Sequence, residues 1–217
     1  GDVYKRQAVN YSAVRPVGSG TYTHSERMGP LSITVPISLF EWRGLNNTQL
    51  DRSTAGQDGL PSFSSQAGSQ DVWGHGYNSA PRLNWKVSDE QSLSLQGFAQ
   101  RGQWHNRTLY QTLATSGRPV LEPEGIFEGG WRLLRGNGQW NYRFGDGQRI
   151  ELKLGTQSSG GTFDGTTSNQ RRVYGENTDR NVTQGGRYAQ LLGDDHTLSV
   201  GWDLEWRRRE EARTVTQ

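Results

Sequence analysis

Seven residues in two polar stretches carry side chains suited to holding a ligand. "DVWGHGY" contains Trp73, His75 and Tyr77, and "RGQWHNRTLY" contains Arg101, Trp104, His105 and Tyr110. Aromatic rings and guanidinium groups bind by stacking, by charge and by planar hydrogen bonding. Together they suit an anionic ligand that carries aromatic groups. The plainer reading is that the same side chains order their own loops, where function commonly resides on a rigid scaffold.

Catalysis is not indicated. His24, His75, His105 and His196 lack metal-ligand spacing. Cysteine is absent, which excludes disulfides and thiolate metal sites. No Gly-x-Ser-x-Gly elbow and no phosphate loop occurs. Asp203 and Glu205 lie two apart on one strand face, and polar lining paired with Arg149 or Lys153 is favoured over acid–base work. Asn10, Asn46, Asn106 and Asn181 each open an Asn-x-Ser/Thr triplet, read as coincidence in an Asn-rich chain. We expect no enzyme, no metal and no cofactor.

The elements that must position these residues are strands. From Leu198 the apolar residues fall on alternate positions: Leu198, Val200, Trp202, Leu204 and Trp206, against Ser199, Gly201, Asp203, Glu205 and Arg207. The same period marks Leu31 to Leu39, Leu83 to Val87, Leu93 to Leu95, Trp140 to Phe144 and Ile150 to Leu154. No amphipathic helix is convincing. Runs of about ten residues match a tilted membrane-spanning strand. No stretch approaches the roughly 18 apolar residues of a spanning helix.

Composition agrees. Of 217 residues only 31% are hydrophobic, lean for a large buried core. Aromatics inside alternating runs argue against disorder. The net charge is +2 with basic residues scattered, so no nucleic acid partner is expected.

Tight turns are expected at "SDEQ" (88–91), "GDGQ" (145–148) and "GDDH" (193–196), with a fourth at "MGP" (28–30). Long polar loops are expected near 44–79, 102–128 and 158–184. Connections this long are uncommon in compact soluble domains. Short turns at one end and long loops at the other describe an outer-membrane barrel. Register supports this. With the faces exchanged, Arg82, Lys86, Arg135, Arg143, Arg149 and Lys153 would enter lipid, at an upper bound on the order of 10–20 kcal/mol. Phe40, Trp42, Trp85, Trp140, Tyr142, Phe144, Trp202 and Trp206 read as an interfacial aromatic belt. Pro36 and the change of phase between Leu39 and Phe40 call for a bulge.

The segment "GDDHTLSVGWDLEWRRREE" resembles barrel strands of TonB-dependent outer-membrane receptors. "RLNWKVSDEQSLSLQGFAQRGQW" and "NGQWNYRFGDGQRIELKLG" resemble two further hairpins of that family. The resemblance covers about residues 20 to 217 and rests on composition more than on fixed residues. It implies an all-β, antiparallel up-and-down barrel of about 22 strands, of which this chain would hold seven or eight. It also implies an N-terminal plug, which is not recognisable here, and uptake of a scarce ligand such as a ferric siderophore, driven by TonB. Residues 1–7 are expected to be a non-native leader and 8–217 a partial barrel domain. The implied partners are outer-membrane lipid, a small-molecule ligand, TonB and the protein's own plug. The implied location is the bacterial outer membrane. Another outer-membrane barrel, such as a porin or secretion channel, is the alternative. A secreted carbohydrate-binding sandwich or propeller is a third reading.

Overall fold

The computed structural model of the chain describes residues 4–11, 16–55, 61–114, 119–121, 124–145, 147–167, 170–192 and 196–216. Every element among them is a strand: β1 (Tyr4–Tyr11), β2 (Pro16–Met28), β3 (Leu31–Ala55), β4 (Pro61–Ser79), β5 (Arg82–Lys86), β6 (Gln91–Ala114), β7 (Pro119–Leu121), β8 (Gly125–Phe144), β9 (Gln148–Thr166), β10 (Arg172–Leu192) and β11 (His196–Thr216). They form one antiparallel sheet with the main path β1-β2-β3-β4-β6-β8-β9-β10-β11. β5 continues the line of β4 past a break at Ala80–Pro81, and both lie between β3 and β6. The short β7 pairs with β6. The sheet is up-and-down and fits a segment of a β-barrel. β1 begins inside the seven residues expected to be a leader.

The turns fall at one end, where the sequence puts them. Met28 pairs directly with Leu31, and Gly29 between them has φ 57°, a geometry that glycine adopts without strain. The Ser88 hydroxyl accepts from the Glu90 and Gln91 backbone N–H groups and holds the second turn. Phe144 pairs with Gln148, and Leu192 with His196. Residues 193–195 of "GDDH" lie outside the described residues.

The expected long loops are a correction. Within these spans residues 44–55, 61–79, 102–114, 119–121, 125–128, 158–166 and 172–184 are strand, and 56–60, 115–118, 122–123 and 168–169 lie outside the described residues. Gly, Ser and Asn signal loops in isolation. Here they are held in ladders on both sides. The seven long strands β3, β4, β6, β8, β9, β10 and β11 run to between 19 and 25 residues, and β1 and β2 bring the main path to nine strands.

No bulge relieves Pro36 either. Pairing of β2 with β3 is unbroken from Ser19–Phe40 to Met28–Leu31. The Pro36 carbonyl accepts from the Ser79 hydroxyl at 2.7 Å. In a strand the N–H and C=O of one residue point the same way, so the N–H that proline lacks would face the break at Ala80–Pro81. No ladder bond is lost there.

Register sorts the side chains onto two faces. Leu31, Ile33, Val35, Ile37 and Leu39 share a face with Leu83, Trp85, Leu93, Leu95, Trp140, Tyr142, Ile150, Leu152, Leu154, Tyr188 and the alternate β11 residues from Leu198 to Trp206. Arg82, Lys86, Arg135, Arg143, Arg149, Lys153, Asp203 and Glu205 stand on the other. His24 and Glu26 of β2 interrupt the apolar face and lie 3.5 Å apart. Among the described residues no protein layer covers the band. Among the described residues the only buried hydrophobics are Val173 (4% exposed) and Ala189 (3%), whereas Leu154 and Leu204 are 58% and 65% exposed.

The band runs obliquely. At its upper edge, away from the turns, one row links Leu39, Tyr77, Arg101, Arg132, Gly160, Thr178 and Glu210. On β11 the band stops at Trp206, four positions below Glu210. At its lower edge one row links Leu31, Trp85, Leu93, Trp140, Leu152, Gly186 and Trp202. On β11 the band continues four positions further, to Leu198. Both edges therefore descend together from β3 to β11.

Candidate functional site

Above the band the same face turns polar. Here β4 and β6 bring together five of the seven nominated residues. Tyr77 pairs with Arg101, His75 with Gln103, and Trp73 with His105. The Trp73 and His105 rings stack with centroids 5.3 Å apart and planes at 16°. The His105 Nδ1 lies 3.6 Å from Glu128 Oε2 on β8. Arg43 clamps Asp71 through two hydrogen bonds beside Trp73, its Nε donating at 2.9 Å. All five residues stand on strands rather than on loops.

Trp104 and Tyr110 do not join them. Trp104 points to the opposite face. The Tyr110 backbone pairs with Gly68, and its side chain lies outside the described residues.

A shallow groove of about 540 Å³ adjoins the cluster. Arg101, His105, Glu128, Arg132, Asp164 and Tyr174 border it, and its floor includes Gly130 and Gly160. Cross-strand pairing explains the open floor, because Gln103 meets Gly130 and Arg132 meets Gly160. Asp164 is already engaged. It accepts from Arg172 Nε at 3.1 Å and Nη2 at 2.7 Å, and this hydrogen bonding holds its carboxyl below the ordinary range. Among the described residues no group of three or more His, Asp or Glu could hold a metal ion. The lining acids pair differently from expectation. Lys153 lies 2.6 Å from Glu151, and Glu205 accepts from Asn181 at 3.0 Å, so neither Asp203 nor Glu205 pairs with Lys153.

The opposite face holds a feature that the sequence reading missed. One cross-strand row alternates aromatic residue and glycine over six strands: Trp42, Gly74, Trp104, Gly129, Phe163, Gly175. Each ring covers a glycine. A β-carbon on Gly74 would stand 2.8 Å from Trp42 Cε2, one on Gly129 2.8 Å from Trp104 Cε2, and one on Gly175 2.2 Å from Phe163 Cε1. The next row continues the motif, with Phe40 over Gly76 and Trp131 over Gly102. Phe40 and Trp42 therefore belong to this face and not to the belt. This also accounts for the change of phase after Leu39. The signal was present as period-two pairs of ring and glycine, such as Phe127-x-Gly129-x-Trp131. Read as loop sequence, it was invisible.

Three of the residues expected in the belt, Trp140, Tyr142 and Phe144, meet at the turn end. Trp140, Tyr142, Phe144 and Tyr188 form a chain of rings with centroids 5.6, 5.2 and 6.4 Å apart.

No protein-family model matches the chain, and no curated protein matches it in sequence. In fold it is similar to solved outer-membrane proteins. The toluene transporter TbuX of Ralstonia pickettii shares 9% identity, with a TM-score of 0.35, over 96% of this chain and 69% of that one. The ferric preacinetobactin receptor BauA of Acinetobacter baumannii shares 10%, with a TM-score of 0.38, over 99% of this chain and 43% of that one. The siderophore receptor PiuA of the same organism shares 6%, with a TM-score of 0.29, over 96% of this chain and 46% of that one. The chain thus spans less than half the length of the two receptors. At such identities no residue can be carried over from them.

Proposed function

We propose that the chain is part of an outer-membrane transport barrel, a receptor that takes up a scarce small molecule such as a ferric siderophore with energy passed by TonB. The observation that carries the membrane reading is the apolar band. It is as tall as the roughly 9–11 residues a tilted spanning strand needs, and no described residue packs over it. A soluble sheet would bury that face. The charged row behind it then lines the interior, as polar residues do in wide barrels. The energised, TonB-driven role is supported by the sequence resemblance alone, and it assigns residues 8–217 to the barrel of a protein that also carries a plug.

This reading sorts the nominated ligand residues. Trp73, His75, Tyr77, Arg101 and His105 share the band's face and lie on the outer wall above the lipid. Trp104, with Trp42 and Phe163, faces inward at the end away from the turns. The ring row is therefore the surface an entering ligand meets. The test is the gene product in full. It should fractionate with the outer membrane, run faster on a gel when unheated, and lose energised uptake in cells without TonB. Solubility without detergent would refute the barrel. Uptake indifferent to TonB would refute the receptor and leave the barrel standing.

A further inference from the structure

We propose that the upper edge of the apolar band carries a built site for the phosphate headgroups of anionic lipid. On the face of the band, the first acid or base past it is Glu41 on β3, Asp164 on β9 and, beyond His75, Asp71 on β4, whereas on β6, β8, β10 and β11 it is Arg101, Arg132, Arg180 and Arg208. These four do not merely share a level. Arg101 is the direct cross-strand partner of Arg132, and Arg180 of Arg208. Like charges placed directly opposite each other destabilise a sheet unless something neutralises them. An anion held between the guanidinium groups of such a pair would offset that repulsion.

The protein supplies little of it. Arg101, Arg132 and Arg180 make no ion pair with a described residue, while Arg208 pairs with Glu210. Of the nearby acids, Asp164 is paired with Arg172, and the Glu128 carboxylate lies 3.6 Å from His105 Nδ1. Glu176 accepts from the Tyr174 hydroxyl at 3.4 Å. Glu41 on β3 stands in the row above Leu39 and is the one acid beside the band edge on that side. All four arginines are exposed. The space in front of the first pair is open, because Gly160 lies beside Arg132 and Gly130 lies one row above it.

The occupant follows from position. This inference rests on the reading that the band lies in lipid. Then the arginines stand where headgroups begin, and guanidinium groups hold phosphate by paired hydrogen bonds. Basic residues at a membrane surface attract anionic lipid at about 1 kcal/mol each, equivalent to roughly fivefold in affinity. A soluble anion would more naturally be met on the inner face.

The full-length protein, purified in neutral detergent, is titrated with phosphatidic acid, phosphatidylcholine and inorganic phosphate while tryptophan emission is followed. Phosphatidic acid should saturate the signal, and Arg101→Gln/Arg132→Gln should weaken it by roughly fivefold per arginine. Arg101→Lys/Arg132→Lys, which keeps the charge and guards against a folding defect, should retain most of the affinity. Lys86→Gln, at the turn end on the other face, should leave it unchanged. Glutamine variants that titrate like the parent overturn the proposal. So does inorganic phosphate saturating the same signal, because the ligand is then soluble. A protein that stays soluble without detergent fails the membrane reading itself, an outcome distinct from either.

Discussion

Trp131 occupies the space in which a β-carbon on Gly102 would stand. Its Cζ2 is 2.3 Å from that point, and the two residues are cross-strand partners on β8 and β6. The three atoms nearest to that point all belong to the ring, so the contact can be tested by substitution. Gly102→Ala should destabilise the fold by about 1–3 kcal/mol, the usual cost of overpacking. Gly20→Ala meets nothing within 4 Å and should be close to neutral. Denaturant midpoints of the two variants in the full-length barrel compare them directly. Equal midpoints would remove the ring row from the list of things that hold the sheet.

Leu204 tests where the band lies. It is 65% exposed and lies inside the band on β11, between Trp202 at its centre and Trp206 at its upper edge. In lipid, Leu204→Arg should cost about 2–4 kcal/mol. Ser199→Arg, on the opposite face of the same strand, should cost far less. In water the two substitutions would be equally mild. Folding yields into vesicles distinguish these cases.

The ring row and the outer cluster make opposite predictions for ligand uptake. Trp104→Ala should lower affinity by roughly three- to tenfold, the worth of one ring contact. Trp73→Ala, which strips a ring from the outer wall, should leave uptake near the parental level. The reverse pattern would return the ligand to the face that carries Trp73 and His105.

Acid should loosen the Asp164–Arg172 clasp. The hydrogen bond from Arg172 lowers the Asp164 pKa, so the folded state holds this carboxyl charged more firmly than the unfolded state does. Such a group contributes stability above the ordinary carboxylate value of about 3.9 and loses it as pH falls through the depressed value. In Arg172→Gln the Asp164 titration midpoint should move up toward the ordinary value. Carbon-detected NMR of the side chain reads it, and an unmoved midpoint would show that the clasp is not formed.

β1 and β11 have no further strand beside them among the described residues. An unpaired edge is an invitation to aggregate in water and is not tolerated in hydrocarbon. Residues 8–217 expressed alone should therefore associate or misassemble. A stable, soluble monomer in gel filtration would contradict the barrel outright.

The strands nearest the turns were legible because one face repels water and the other carries charge. Leu198 to Trp206 and Ile150 to Leu154 alternate without exception, and Arg135, Arg143 and Lys153 confirm the phase from behind. Beyond the band that contrast reverses. Glu41, Arg43 and Arg132 take over the former apolar face, while Phe40, Trp42 and Trp131 move to the other. Period two persists, but glycine replaces every second bulky residue, and glycine reads as a turn. Pairing with both neighbours decides those segments, and pairing is not written in any single stretch. The ligand residues suffered in the same way. Trp104 and His105 are neighbours in sequence, and one position of register puts them on opposite sides of the sheet.

The shared descent of both band edges has a geometric consequence. Four residues of drop is about 13 Å, and six interstrand steps from β3 to β11 span about 29 Å. The ratio leans the strands by roughly 25° from the perpendicular of a flat slab, short of the 35–45° common in closed barrels. Any ribbon that seals against β11 must start its oily segment nearer the turns than β11 does. A partner lacking that offset would drag a guanidinium into oil at the seam.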